Sequence, residues 1–142
     1  MRRVLAFLIA ATAACGGSSG GNLDAAMGGT WSGTATLTLQ GASPQTFAGD
    51  LTLTVSGQDA TMASVCLDGS GSVTMHGSGR SASWQGSLVC PPVQFTYCPA
   101  VTMTFQSVNV TLNGSTLTAQ GAGSASGCTT TIGFTLGLTG TK

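Results

Sequence analysis

Glutamate is absent from this chain, and charge of either sign is scarce. Four Lys+Arg and four Asp make 6% of its 142 residues charged, where ordinary soluble domains carry about 25%. No charged residue lies between Ser81 and Thr141. These shortages exclude a nucleic-acid binder, which needs cations clustered against phosphates. They also exclude a coiled coil, whose flanking positions carry Glu and Lys. Two Trp and one Tyr are too few for the aromatic girdles of an integral outer-membrane barrel. What is plentiful is Gly, Ser and Thr, 60 residues together, beside 42% hydrophobic residues and a mean hydropathy of +0.33. That supplies enough apolar surface for a core and argues against disorder. The length suits one domain.

The first fifteen residues read as an export address. Arg2 and Arg3 precede the apolar run Val4–Ala14, which is too short to span ~30 Å of hydrocarbon but right for a signal peptide. The run closes on Thr12-Ala13-Ala14-Cys15. Small residues directly before a Cys resemble the lipobox of bacterial lipoproteins, with Thr12 standing where Leu is usual. The resemblance implies a signal peptide over 1–14, diacylation of Cys15 and attachment to a membrane through that lipid. Gly16 after the Cys, rather than Asp, implies by the same resemblance a place in the cell envelope at the outer membrane. Ala11-Thr12-Ala13 offers the alternative of ordinary secretory cleavage. Residues 15–29, Gly- and Ser-rich after the Cys, read as a flexible tether. The folded domain is then 30–142.

From Thr30 onward the hydrophobic period is two. Trp31-Gly33-Ala35-Leu37-Leu39 alternates with Ser32, Thr34, Thr36 and Thr38, and Phe47-Gly49-Leu51-Leu53-Val55 alternates with Asp50, Thr52, Thr54 and Ser56. The runs around Trp84 and Phe134 repeat the pattern. Such alternation marks half-buried antiparallel strands, with Thr suited to the exposed face. No amphipathic-helix stripe occurs. Turn residues at 41–44, 57–59, 77–79 and Asn113-Gly114 separate seven or eight strands: about 30–40, 46–56, 60–67, 71–77, 80–90, 94–112, 115–125 and 129–139. The sixth is long enough to bend or break near Ser107. Asn113-Gly114 predicts a type I′ hairpin.

The fold class is therefore all-β, an antiparallel meander. An up-and-down barrel is favoured over a two-sheet sandwich, because a bare edge in the uncharged stretch 81–141 would lack charged guards. Gly29-Thr30-Trp31 resembles the G-x-W that opens the barrel of lipocalins and similar calycins. In that family a late Arg packs across the Trp, whereas no Arg follows Arg80 here.

Five cysteines in an exported chain leave one over. If lipid takes Cys15, then Cys66, Cys90, Cys98 and Cys128 form two disulfides. Cys66 and Cys90 are symmetric about Ser78, and Cys98 and Cys128 about Asn113, so two hairpins would bring each pair into reach. The rival pairing is Cys90–Cys98 with Cys66–Cys128. No close C-x-x-C pair supports a metal site, and no cofactor motif is present.

Catalytic signals are weak. His76 is the single histidine, no G-x-S-x-G elbow occurs, and a hydrolase would need His76 within reach of a Ser and an Asp. Asp50 and Asp59 read as solvent-face residues, Asp68 as a turn residue, and Arg80 as a solvated strand cap. The chain accordingly reads as a non-enzymatic, membrane-anchored binding or interaction module that meets its partner through a neutral surface or apolar patch. The alternative is a lipocalin-like carrier of a small apolar ligand, with Trp31, Trp84, Phe105 and Met103 lining the interior. Without the leader, two cations (Arg80, Lys142) against four Asp leave a net charge of −2, which gives little electrostatic steering.

Overall fold

In a computed structural model that describes residues 21–127 and 129–142, the chain forms nine antiparallel strands in one sheet. They are β1 Gly29–Leu39, β2 Gln45–Ser56, β3 Asp59–Ala63, β4 Ser72–Ser78, β5 Ser81–Val89, β6 Val93–Phe95, β7 Cys98–Asn113, β8 Thr116–Ser126 and β9 Ile132–Thr141. A 3-10 turn, Ala25–Met27, precedes them. The order in the sheet is β5-β4-β3-β2-β1-β9-β8-β7-β6, and β5 also pairs with β7. The pairings thus return on themselves through eight strands, with the three-residue β6 hairpinned onto β7.

Alternation sets which side chains enter the ring. Trp31, Ala35 and Leu37 of β1 and Leu51 and Leu53 of β2 are buried. Their neighbours carry hydroxyls outward, and Thr30–Thr52 and Thr61–Thr74 hydrogen bond across strands at 3.1 and 3.2 Å. Cross-strand Thr pairs of this kind stabilise a sheet modestly. Among the described residues no polar or charged side chain is buried.

Three two-residue turns join β2 to β3, β4 to β5 and β7 to β8. Each has a glycine first: Gly57, Gly79 and Gly114, with φ near +60° (61°, 60° and 60°). Positive φ at the first central residue alone is the type II′ pattern. The type I′ turn expected at Asn113-Gly114 is therefore corrected: Asn113 pairs with Thr116 as the last residue of β7.

Two expected strands change. The third ends at Ala63 rather than 67, because Cys66–Gly69 close a turn of their own, with Gly69 N–H donating to Cys66 O at 2.9 Å. The sixth divides into β6 and β7, since Phe95 turns back to pair with Cys98. The irregularity foreseen near Ser107 is present: the β7–β8 register shifts between Phe105 and Ser107. One predicted disulfide, Cys66–Cys90, is formed, with Cα atoms 5.6 Å apart. Cys98 is also disulfide-bonded. Its expected partner Cys128, like the predicted signal peptide and lipidated Cys15, lies outside the described residues.

The folded unit begins before Thr30. Leu23 and Met27 are buried at 6% and 0% exposure. Leu23 N–H donates to Gly57 O and Asp24 N–H to Gly79 O, at 2.8 and 2.6 Å. The tether expected through Gly29 is corrected accordingly, because these two apolar residues close the end of the ring that carries the three tight turns. Arg80, expected as a solvated cap, pairs there with Asp24 (Nε–Oδ2 3.3 Å).

Candidate functional site

Eight strands closing on one another leave an interior just wide enough for side chains to fill, so any hollow must come from small residues. Such residues meet here. Ala35 on β1 faces Phe47 on one side and Leu138 on the other. Leu138 in turn faces Ala119, and Leu136 faces Gly121. With Gly49 on β2, these small positions leave a cavity of about 290 Å³. Its walls are completed by Leu51, Met62 and Val108 and by the segment Val65, Cys66 and Leu67.

The packing around the hollow fixes its size. A Cβ at Gly121 would stand 2.6 Å from Cε1 of Phe105, so the Phe105 ring lies directly on that glycine. Phe105 meets Phe134 edge to face, with ring centroids 4.9 Å apart. A Cβ at Gly49 would touch Leu138 and Ala35 at 3.0 and 3.1 Å. The Cys66–Cys90 bond ties the segment between β3 and β4 to the end of β5. Phe47, 39% exposed, and the exposed Ser64 and Gly69 line the hollow at this same end and form its mouth. Within that segment Asp68 Oδ1 accepts hydrogen bonds from Ser70 Oγ (2.6 Å) and Ser70 N–H (3.1 Å). Those bonds, the hydroxyl first, hold the Asp68 carboxyl below its ordinary pKa.

The residues nominated from sequence as ligand-lining lie elsewhere. Trp31, Met103 and Phe105 belong to the packed core and Trp84 is half-buried against it; none of the four lines this cavity. Large apolar side chains were the natural candidates. The signal lay instead in small residues at inward positions, visible only once register places strands side by side.

Trp31 has a different task. Its Nε1–H donates to Met27 O at 2.9 Å. Lys142 Nζ stands 4.7 Å from the centroid of the Trp31 ring and donates to Ala26 O at 2.8 Å. A cation therefore packs across the opening Trp, though it is Lys142 rather than an Arg.

Asp59, His76 and Ser83 are register partners across β3, β4 and β5. His76 Nδ1 lies 3.0 Å from Asp59 Oδ1, on side chains 70% and 58% exposed. This row sits beside the tight turns, at the end away from the cavity mouth. Both side chains are thus open to solvent and not enclosed.

Comparison with protein-family models, with curated proteins and with solved structures finds no match for the chain.

Proposed function

We propose that the closed ring is an up-and-down barrel that works as a non-enzymatic carrier, holding a small apolar ligand inside and held to the outer membrane by lipid on Cys15. The observation that carries the reading is the apolar cavity of about 290 Å³ between Ala35, Gly49, Ala119 and Gly121. A ring meant only as a scaffold gains stability by lining such space with larger apolar side chains, which bury more surface. The cation over Trp31 supports the likeness to lipocalins, whose opening Trp is covered in the same way.

The ends of the molecule suit the arrangement. The chain enters the fold at Asn22 beside the turn of Gly79, where Gly79 N–H donates to Asn22 O at 3.1 Å. An anchor at Cys15 would then leave the mouth, at the opposite end, facing away from the membrane. A second reading, an interaction module for a protein partner, draws on Tyr97 and Val89, which are 95% and 63% exposed near the mouth.

Native mass spectrometry of the protein purified without detergent tests the carrier reading. A small apolar mass that co-purifies and is lost on unfolding is the expected result. A bare protein that also takes up no added apolar compound would overturn it. The anchor is tested by Cys15→Ser, which should move the protein out of the membrane fraction; a variant that still pellets with membranes refutes lipidation.

A further inference from the structure

Resting on the carrier reading, the geometry points to a ligand class: a compact, uncharged, apolar molecule of about ten to twelve non-hydrogen atoms, with carboxylates and long acyl chains disfavoured. Size comes first. A cavity of ~150 Å³ inside a protein accommodates one benzene ring. At about 290 Å³, this one has room for about two fused or linked rings.

Charge comes second. None of the lining residues is Lys, Arg or His, and the one charged member is Asp50. A ligand carboxylate or phosphate would give up its water and find no counter-charge, since Asp50, between the inward Gly49 and Leu51, is exposed on the outer face. The cations of the fold are committed at the other end, Arg80 to Asp24 and Lys142 to Trp31 and Ala26.

Shape comes third. The hollow does not continue along the axis of the ring. Trp31 and Met27 fill one end, and Phe105 packs against Phe134 on the β7–β9 side, all four nearly inaccessible. An extended chain would have to leave through the mouth beside Phe47 after a few carbons. A compact bicyclic molecule is short enough to stay within the hollow, whose walls include Leu138 and Met62.

The test uses the whole chain carrying Cys15→Ser in detergent-free buffer, titrated with naphthalene, 2-naphthoate and dodecanoate. Methyl NMR shifts of Leu136, Leu138 and Val108 report occupancy. Naphthalene should shift these methyls saturably, and 2-naphthoate should bind at least about tenfold more weakly. Dodecanoate should bind no tighter than 2-naphthoate. Ala119→Leu fills the hollow from β8, and Leu136→Phe fills it from the half-buried wall of β9. Each should weaken naphthalene at least about tenfold while circular dichroism shows the fold retained; should one variant misfold, the other decides. If 2-naphthoate or dodecanoate matches naphthalene and is lost in the same variants, the ligand class is wrong and the carrier reading stands. If no probe moves the methyls, or the filled variants bind naphthalene as well as the parent does, the carrier reading falls with it.

Discussion

Loss of the Cys66–Cys90 bond should cost this fold about 3.5 kcal/mol, most of it through the unfolded chain. The two residues are 24 apart in sequence, and the bond encloses β4 and β5. Loop-closure entropy of about −2.1 − 1.5R ln n gives roughly −12 cal/mol/K for that loop, or ~3.5 kcal/mol at 25 °C. Domains are stable by only about 5–15 kcal/mol, so the melting temperature should fall by roughly 10–17 °C. Urea unfolding of Cys66→Ala, Cys90→Ala and the double variant isolates the effect. Either single change already breaks the bond, so all three should lose nearly the same stability. The urea dependence should steepen, because an uncrosslinked unfolded chain exposes more surface. A loss under ~1 kcal/mol, or a double variant losing twice what each single one does, would refute the reasoning. The first would mean the chain gains nothing from closure. The second would mean the two buried sulfurs matter through packing.

Three further changes probe other parts. Lys142→Ala should cost ~1–2 kcal/mol by chemical denaturation, from the lost contact over Trp31 and the lost bond to Ala26 O; Lys142→Arg should retain most of it, and equal losses in both variants would refute a cation-specific role. Gly33→Ala should destabilise by about 1–3 kcal/mol or more, since its Cβ would run into Thr139 O and stand 2.6 Å from Gly140 Cα, whereas the nearest atom to a Cβ at Gly137 is 3.9 Å away. Thermal melts of Gly33→Ala and Gly137→Ala should therefore separate clearly, and similar melts would mean β1 and β9 yield freely. Asp68 binds its proton more weakly when its bonds to Ser70 are made. Its contribution to loop order is thus complete at neutral pH and fades as pH falls through the depressed folded-state pKa. The protection factor of the Ser70 amide should follow that fall in the parent and be low at every pH in Asp68→Ala; protection in the parent that survives strong acid would contradict it.

Strand order and spacing were legible in the sequence because each strand obeys one local rule, alternation between turns. Trp31 to Leu39 announces a half-buried strand with no reference to its partners, and β1 is found at Gly29–Leu39. The Cys66–Cys90 pair was legible from its spacing about the β4–β5 turn, yet Cys66 lies in the segment before β4, so the bond joins that segment to the end of β5 and not two rungs of the hairpin. Where a second local signal competed, the reading slipped. The alternation around Thr61 carries past Ala63, but Cys66 to Gly69 form a turn that ends the strand early. Likewise Asn113-Gly114 is a strong turn signal, yet the neighbouring Gly114-Ser115 supplies positive φ at the one position a type II′ turn needs. The packing of Leu23 and Met27 against the closed end was hidden by the glycines around them, which mask two apolar residues in a stretch that composition marks as linker.

The cavity was illegible for a physical reason, and that reason yields a last prediction. Ala35, Gly49, Ala119 and Gly121 come from three strands and carry almost no hydrophobic signal, while Trp31, Met103 and Phe105 draw the eye and are packed solid. What makes a hollow is the coincidence of small residues across registers that no local pattern sets. If the space is kept for a ligand, filling it should stabilise the empty protein. Ala119→Leu adds three carbons to an inward position. At ~0.8 kcal/mol per buried CH₂, less the side-chain entropy of Leu, the gain is about 1–2 kcal/mol. Chemical denaturation of the unliganded protein should show it, alongside the loss of naphthalene binding. Ordinary core positions behave in the opposite way, since extra carbons there overpack and destabilise by about 1–3 kcal/mol. A stability loss of that size at Ala119, with the fold intact, would mean that the space between β1, β8 and β9 is closed in solution. A gain would set the hollow among sites where stability is given up for function.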